Sequence, residues 1–223
     1  MRAMILAAGR GERLKPLTDA VPKPMLTVAG EPLIARQLRA LGEAGITRVV
    51  INLHHLGEQI ASFCGSGEDF GIRIDYSRED ELLDTGGGIV KALPLLGDAP
   101  FLILNGDILT DFPFQTLATA LPDWADLHLV LTSRPAHRTH GDFDWEAGRV
   151  TGRGESYVYC GIAVLRPELF DGRIIEPFSL QQILFDAVAG GRVSAEIWTG
   201  TWIDIGSHDQ LRAANEHLKS EPG

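Results

Sequence analysis

The twenty residues from Met4 to Lys23, MILAAGRGERLKPLTDAVPK, constrain this chain more than any other stretch. Met4-Ile5-Leu6-Ala7-Ala8 is a short apolar run of the kind that forms a buried strand. Gly9-Arg10-Gly11-Glu12-Arg13 then breaks it with a glycine-punctuated turn. Glycine reaches positive φ and lets a ligand approach the main chain, whose N–H groups can face an anion. Arg13, Lys15 and Lys23 add side-chain positive charge within the same window. A strand feeding such a turn suits a chain of phosphates.

Charge balance sharpens this reading. The 223 residues carry a formal net charge of −10, which argues against general binding to nucleic acid or to an anionic membrane. Residues 1–23 nevertheless hold Arg2, Arg10, Arg13, Lys15 and Lys23 against only Glu12 and Asp19. The positive charge is local to the turn. Two familiar phosphate loops do not fit it: GxGxxG meets Leu14 at its third glycine, and no Gly-Lys-Ser/Thr occurs in the chain.

Periodicity supplies the architecture. Pro32 opens an amphipathic helix through Ala44, with Leu33, Ile34, Leu38 and Leu41 on one side, and Gly45 stops it. Arg48–Leu53 is an apolar strand, 56–64 a helix and 72–76 an alternating strand. Strand, helix, strand, helix, strand predicts a parallel sheet wrapped by helices. Residues 77–88, SREDELLDTGGG, form an acidic loop running into three glycines, followed by a helix over 89–96. Asp84 or Thr85 caps that helix, and the glycines leave its first N–H groups open to a ligand. Phe101-Leu102-Ile103-Leu104 is a buried strand ending in Asn105-Gly106-Asp107, and ligands in open α/β sheets sit beyond such carboxyl ends. Further strands follow over 127–131, 157–165 and 193–198, with a hairpin turning at Glu146-Ala147-Gly148. A helix spans 179–188. Ser207 with Gln210 makes a capping box for a last helix through Leu218, and 219–223 form a frayed tail.

Other classes recede on chemistry. Cys64 and Cys160 lie in apolar surroundings and read as buried reduced thiols rather than a disulfide, as in a reducing cytoplasm. The amino terminus enters a strand pattern with no apolar leader region, and no window of eighteen apolar residues forms a membrane span. His137 and His140 invite a zinc reading that no cysteine or spaced carboxylate pair completes.

Leu6 to Thr18 reads LAAGxGxRLxPLT and is followed by Pro22-Lys23-Pro24. This long ordered pattern resembles the signature of the sugar-1-phosphate nucleotidyltransferases, or NDP-sugar pyrophosphorylases. The resemblance implies a Rossmann-like three-layer sandwich around a mostly parallel (mixed) sheet. It implies one nucleotidyltransferase domain over 1–223, with the nucleotide part in 1–110 and the sugar part in 111–223, and without the carboxyl-terminal β-helix domain of many relatives.

The same resemblance assigns residues. Asp107, after an apolar strand, and Asp204, in Trp202-Ile203-Asp204-Ile205-Gly206, become ligands of Mg²⁺. Arg13, Lys23 and Asp107 become catalytic. Ala8, Gly9, Gly11, Glu12, Arg13, Lys23, Glu81, Thr85, Gly86 and Gly87 become the nucleotide site. Asn105, Gly141, Asp142 and Gly161 become the sugar site, with Gly141 making room for the sugar. Arg153 stands near the place of a sugar-phosphate lysine that this chain lacks. The DTGGGI, LNGD and GDFD segments resemble the N-acetylmuramate-1-phosphate uridylyltransferases of bacterial cell-wall recycling, so the implied partners are UTP and N-acetylmuramic acid 1-phosphate. The enzyme is expected in the cytoplasm, as a monomer or small homo-oligomer. Mannose- or glucose-1-phosphate enzymes using GTP or another triphosphate are the alternative, and a catalytically silent nucleotide-sugar-binding module is the alternative of another class.

Overall fold

The computed structural model describes residues 1–136 and 138–220. β1 (Arg2–Leu6) alternates its side chains between two faces, as a pleated strand must. Ala3 and Ile5 enter one apolar cluster and Met4 the other. A short helix, α1 (Leu17–Ala20), and a two-residue ribbon of β2 (Thr27–Val28) and β3 (Glu31–Pro32) lead into α2 (Leu33–Glu43). β4 (Arg48–Leu53), α3 (Gly57–Cys64), β5 (Arg73–Arg78), α4 (Asp84–Leu96) and β6 (Phe101–Asn105) complete the amino-terminal half. The second half contains β7 (Ile108–Thr110), β8 (Leu127–Ser133), β9 (Phe143–Glu146), β10 (Arg149–Arg153) and β11 (Tyr157–Leu165). It ends with α5 (Leu180–Ala189), β12 (Val193–Ile197), β13 (Trp202–Asp204) and α6 (His208–Ser220).

Nine strands form one mixed sheet in the order β5-β4-β1-β6-β11-β8-β12-β10-β9. Strands β5, β4, β1 and β6 run parallel, as the alternation of strands and helices requires. β11 enters antiparallel between β6 and β8, and β12 is parallel to β8. Helices cover both faces. Ile34, Leu38 and Leu41 of α2, with Ile60 and Cys64 of α3, pack on one; Ile89, Ala92, Ile183 and Leu184 of α4 and α5 pack on the other. Burying a large aliphatic side chain contributes about 1.5–3 kcal/mol, so these stripes anchor the layers. Both cysteines are free and buried. Among the described residues no helix is long and apolar enough to cross a membrane.

Several boundaries shift by a residue or two, such as β5 and β8, which end two residues later than expected, and two others change an expectation made above. α4 begins at Asp84, so the three glycines lie inside its first turns and not ahead of it. The last helix continues to Ser220. Lys219 and Ser220 are therefore helical, and 221–223 lie outside the described residues. Ser207 Oγ accepts from Gln210 N–H at 3.3 Å as the capping box requires, but Gln210 Oε1 reaches back to Gly206 N–H at 2.9 Å.

Candidate active site

Strands β1 and β6 deliver their carboxyl ends to one place. Gly106 N–H donates to the Leu6 carbonyl at 3.0 Å, and a side chain there would come within 2.8 Å of that same oxygen. Glycine thus lets the turn after β6 lie against the start of the phosphate loop. Gln37 of α2 holds that turn from below, its Nε2 donating to the carbonyls of Asn105 at 2.9 Å and Ile108 at 3.1 Å. Asp107 emerges from this braced turn and forms an ion pair with Lys23.

Asp204 arrives by a separate route. β13 pairs antiparallel with β7, setting Asp204 opposite Ile108, and Ile205 N–H donates to the Asp107 carbonyl at 2.9 Å. Trp202 anchors the strand through its indole N–H, which donates to the Cys160 carbonyl at 2.8 Å. The two acids, 97 positions apart in sequence, thereby reach one site. Burial raises the pKa of Asp204, and the negative charge of Asp107 raises it further; Lys23, Arg138 and Arg13 partly oppose the shift.

Three cavities meet around these groups. One of about 320 Å³ is lined by Ala8, Gly9, Asn52, Leu82, Thr85 and Asp107, among others. Thr85 and Asn105 separate it from a second, of about 280 Å³, bounded by Asp142, Phe143, Tyr159 and Gln181. A third, of about 480 Å³, lies between Arg13, Arg138, Asp142 and Asp204.

The family model of the nucleotidyl transferases matches residues 2–143. The N-acetylmuramate alpha-1-phosphate uridylyltransferase of Neisseria meningitidis serogroup B is 45% identical over 225 residues, covering 96% of each chain. This chain belongs to the sugar-1-phosphate nucleotidyltransferase family. A mannose-1-phosphate guanyltransferase from Gibberella zeae is 31% identical over 92% of this chain, which spans 61% of that protein's length. HddC from Yersinia pseudotuberculosis, solved with GMP-PN, superposes with a TM-score of 0.82 at 24% identity, over 97% of this chain and 99% of its own, and shares the fold.

In this nucleotidyltransferase the expected residues divide into those that face the cavities and those that brace the chain. Ala8, Gly9, Thr85, Asn105, Asp107 and Asp142 line the cavities, as do Arg13, Gly141 and Asp204 in the third, and Lys23 pairs with Asp107. Gly11 has a φ of 64° and holds its carbonyl under the Thr18 hydroxyl, which donates to it at 2.9 Å. Arg13 packs against Gly206, where a Cβ would come within 2.6 Å of its guanidinium. Glu12 pairs with Lys15 at 2.8 Å, and Glu81 is exposed outside the lining of the first cavity.

Several glycine expectations need correction. The N–H groups of Gly86 and Gly87 are not open to a ligand: both donate to the Phe178 carbonyl, at 2.9 and 3.3 Å. Any Cβ at these positions would collide with the Phe178 ring and the Glu176 carbonyl. The glycines admit the chain itself. Thr85 Oγ1 does not cap α4; it accepts from Leu180 N–H at 2.8 Å and so satisfies the first N–H of α5, whose N-cap is Ser179. Gly141 lines the third cavity and also makes room for the backbone of Glu155, 2.5 Å from its ideal Cβ, whereas Gly161 (φ 75°) admits the Asn105 side chain, 2.6 Å away. Arg153 lies over the Phe185 ring, 4.1 Å from its centroid. His140 is within 3.3 Å of Glu155, and His137 lies outside the described residues.

Other contributors were not singled out in the sequence. Asn52 Oδ1 accepts from Ala7 N–H at 2.7 Å while its Nδ2 donates to Glu79 at 2.7 Å, and Glu79 also accepts from Leu83 N–H at 3.1 Å. This buried bridge ties the entry of the phosphate loop to the 79–84 loop. An asparagine within the apolar run RVVINL was its only sequence signal. Tyr159 borders the second cavity, and its hydroxyl is buried without a partner among the described residues. Arg138 donates to Asp204 Oδ2 at 3.2 Å.

The donor set fits a hard divalent ion. Among the described residues no group of three or more His, Cys, Asp and Glu comes together. Two carboxylates suit Mg²⁺, which completes its shell with phosphate oxygens and water. Each acid now carries one basic side chain, Lys23 on Asp107 and Arg138 on Asp204.

Proposed function

We propose that this nucleotidyltransferase moves a uridylyl group from UTP to N-acetylmuramic acid 1-phosphate, with Mg²⁺, releasing pyrophosphate. The observation that carries the transfer chemistry is the meeting of Asp107 and Asp204 beside Lys23 and Arg13 at the mouth of the phosphate loop. The choice of substrates rests on the Neisseria relative, which matches end to end at 45% identity, against 31% for the guanyltransferase. A silent binding module would be expected to have lost one of Asp107, Asp204, Arg13 or Lys23, and all four are present.

In the reaction an oxygen of the sugar phosphate attacks the α-phosphorus of the triphosphate. The bond from that phosphorus to the bridging oxygen breaks, and the electron pair leaves with pyrophosphate. The attacking oxygen is already anionic at neutral pH, so no side chain has to remove a proton. When bound between Asp107 and Asp204, Mg²⁺ supplies charge neutralisation for the phosphates. The chain's own work is alignment and relief of repulsion between two anions. The turn of residues 9–13 cradles the triphosphate, and Arg13 and Lys23 neutralise it. Thr85 and Asn105 stand at the boundary of the nucleotide and sugar cavities. Two free buried thiols suit a reducing compartment, in keeping with a cytoplasmic enzyme.

The test is pyrophosphate release with Mg²⁺ across a panel of triphosphates and sugar 1-phosphates. UTP with N-acetylmuramic acid 1-phosphate should give the highest kcat/KM. A higher value for GTP with mannose 1-phosphate would overturn the substrate assignment and keep the chemistry.

A further inference from the structure

The third cavity has a composition that the reading so far leaves unexplained. Arg13 and Arg138 both line it, with Asp204 and Asp142 on the same walls. Arg138 is held by an unusual set of neighbours. Its NH2 donates to Asp204 Oδ2 at 3.2 Å, its NH1 lies 3.9 Å from Asp142 Oδ2, and its guanidinium sits 5.9 Å from the Trp202 ring centre. The loop presenting it is fastened at several points. Arg134 NH1 donates to the carbonyls of Arg138 and Thr139, both at 3.0 Å; Gly141 N–H donates to Glu155 at 3.0 Å; and Asp142 accepts from Tyr159 N–H at 2.9 Å.

A divalent ion taking Asp204 competes with this guanidinium for the same carboxylate. Once displaced, this two-thirds-buried guanidinium keeps only Asp142, 3.9 Å away and beyond hydrogen-bond distance, so a closer anion is favourable. The cavity it shares with Arg13 is large enough for a phosphate, and a guanidinium's planar fork matches phosphate oxygens. Arg153 is not placed for this task, since it stacks on Phe185.

We propose that Arg138 binds the phosphate of the acceptor sugar, and that its pair with Asp204 is exchanged for a divalent ion when substrates load. The assignment rests on the function proposed above and adds a residue to it. The metal and the acceptor phosphate then arrive together: one removes the partner of Arg138 and the other replaces it.

The test compares wild type with Arg138→Met, which keeps an apolar stem against Trp202, and Arg138→Lys, which keeps the charge. Mn²⁺ affinity of the ligand-free protein, followed by the electron-spin resonance of free Mn²⁺, should tighten about tenfold in Arg138→Met because Asp204 loses its competitor. Binding of N-acetylmuramic acid 1-phosphate in the presence of Mn²⁺, read by calorimetry, should weaken about tenfold in the same variant and recover in Arg138→Lys. UTP affinity should stay within about twofold of wild type. Unchanged Mn²⁺ affinity overturns the exchange, and unchanged sugar-phosphate binding overturns the assignment. Parallel loss of both ligands with a lower melting midpoint would make Arg138 a structural strut. Neither binding arm requires turnover. A protein showing both shifts but releasing no pyrophosphate from any substrate pair would therefore defeat the proposed reaction and leave the role of Arg138 standing.

Discussion

At Gly9 an added methyl group would meet nothing within 4 Å, whereas at Gly86 and Gly87 it would collide with the Phe178 ring and the Glu176 carbonyl. Both glycine clusters were expected to face the nucleotide, yet of these three glycines only Gly9 lines a cavity. Their physical reasons are opposite. The first keeps a turn open beside Asp107 and its ion pair with Lys23. The second lets the segment around 176–178 lie on the first turns of α4 and surrenders its N–H groups to that segment. Glycine in a phosphate-binding protein therefore identifies a close approach, and only the fold says whether ligand or chain makes it.

Substitutions on the two sides should separate activity from stability. The largest effect is expected for Asp107→Asn and Asp204→Asn, on the open side: each should lower turnover by about a hundred- to thousandfold, equivalent to about 3–4 kcal/mol. Circular dichroism and the melting curve should remain those of a folded protein, and full activity in either variant would remove the metal assignment. Next comes Gly87→Ala on the packed side, expected to destabilise by about 3 kcal/mol through overpacking. Urea unfolding checks it, and a loss of activity without loss of stability would return Gly87 to the ligand site. Gly9→Ala should change stability by no more than about 0.5 kcal/mol while raising the KM for triphosphate severalfold. If it unfolds the protein, the contrast between the clusters fails. The smallest effect is expected for Tyr159→Phe. Its hydroxyl is buried without a partner among the described residues, so removing it should stabilise the ligand-free enzyme by about 1 kcal/mol, visible as a higher melting midpoint. A lower midpoint would mean that this hydroxyl is satisfied in solution.

Legibility followed the range of the interactions. Apolar periodicity located β4, which spans Arg48–Leu53, and β11, which spans Tyr157–Leu165, at the limits expected from sequence. The hairpin was readable from Gly148, since glycine suits the positive φ (87°) of a tight turn, whereas Ala147 takes a positive φ (48°) that its side chain does not favour. Long-range polar partners were not readable. The Asn52–Glu79 bridge joins residues 27 apart, and the Arg138–Asp204 pair joins residues 66 apart. Each pair depends on which strand lies beside which, and no local pattern encodes that order. The acids Asp107 and Asp204 were found through likeness to a family, and their meeting follows from the pairing of β7 with β13.

The sequence by itself determined the parallel amino-terminal part of the sheet, the basic turn after β1 and the family to which the chain belongs, because strand and helix periods and turn chemistry are local properties. Tertiary structure decided which glycines face solvent, that the Thr85 hydroxyl serves the first N–H of the sequence-distant α5, and that Arg138 and not Arg153 stands by the paired acids. Those outcomes depend on contacts between segments far apart in the chain, and such contacts are selected by packing a single mixed sheet between two layers of helices.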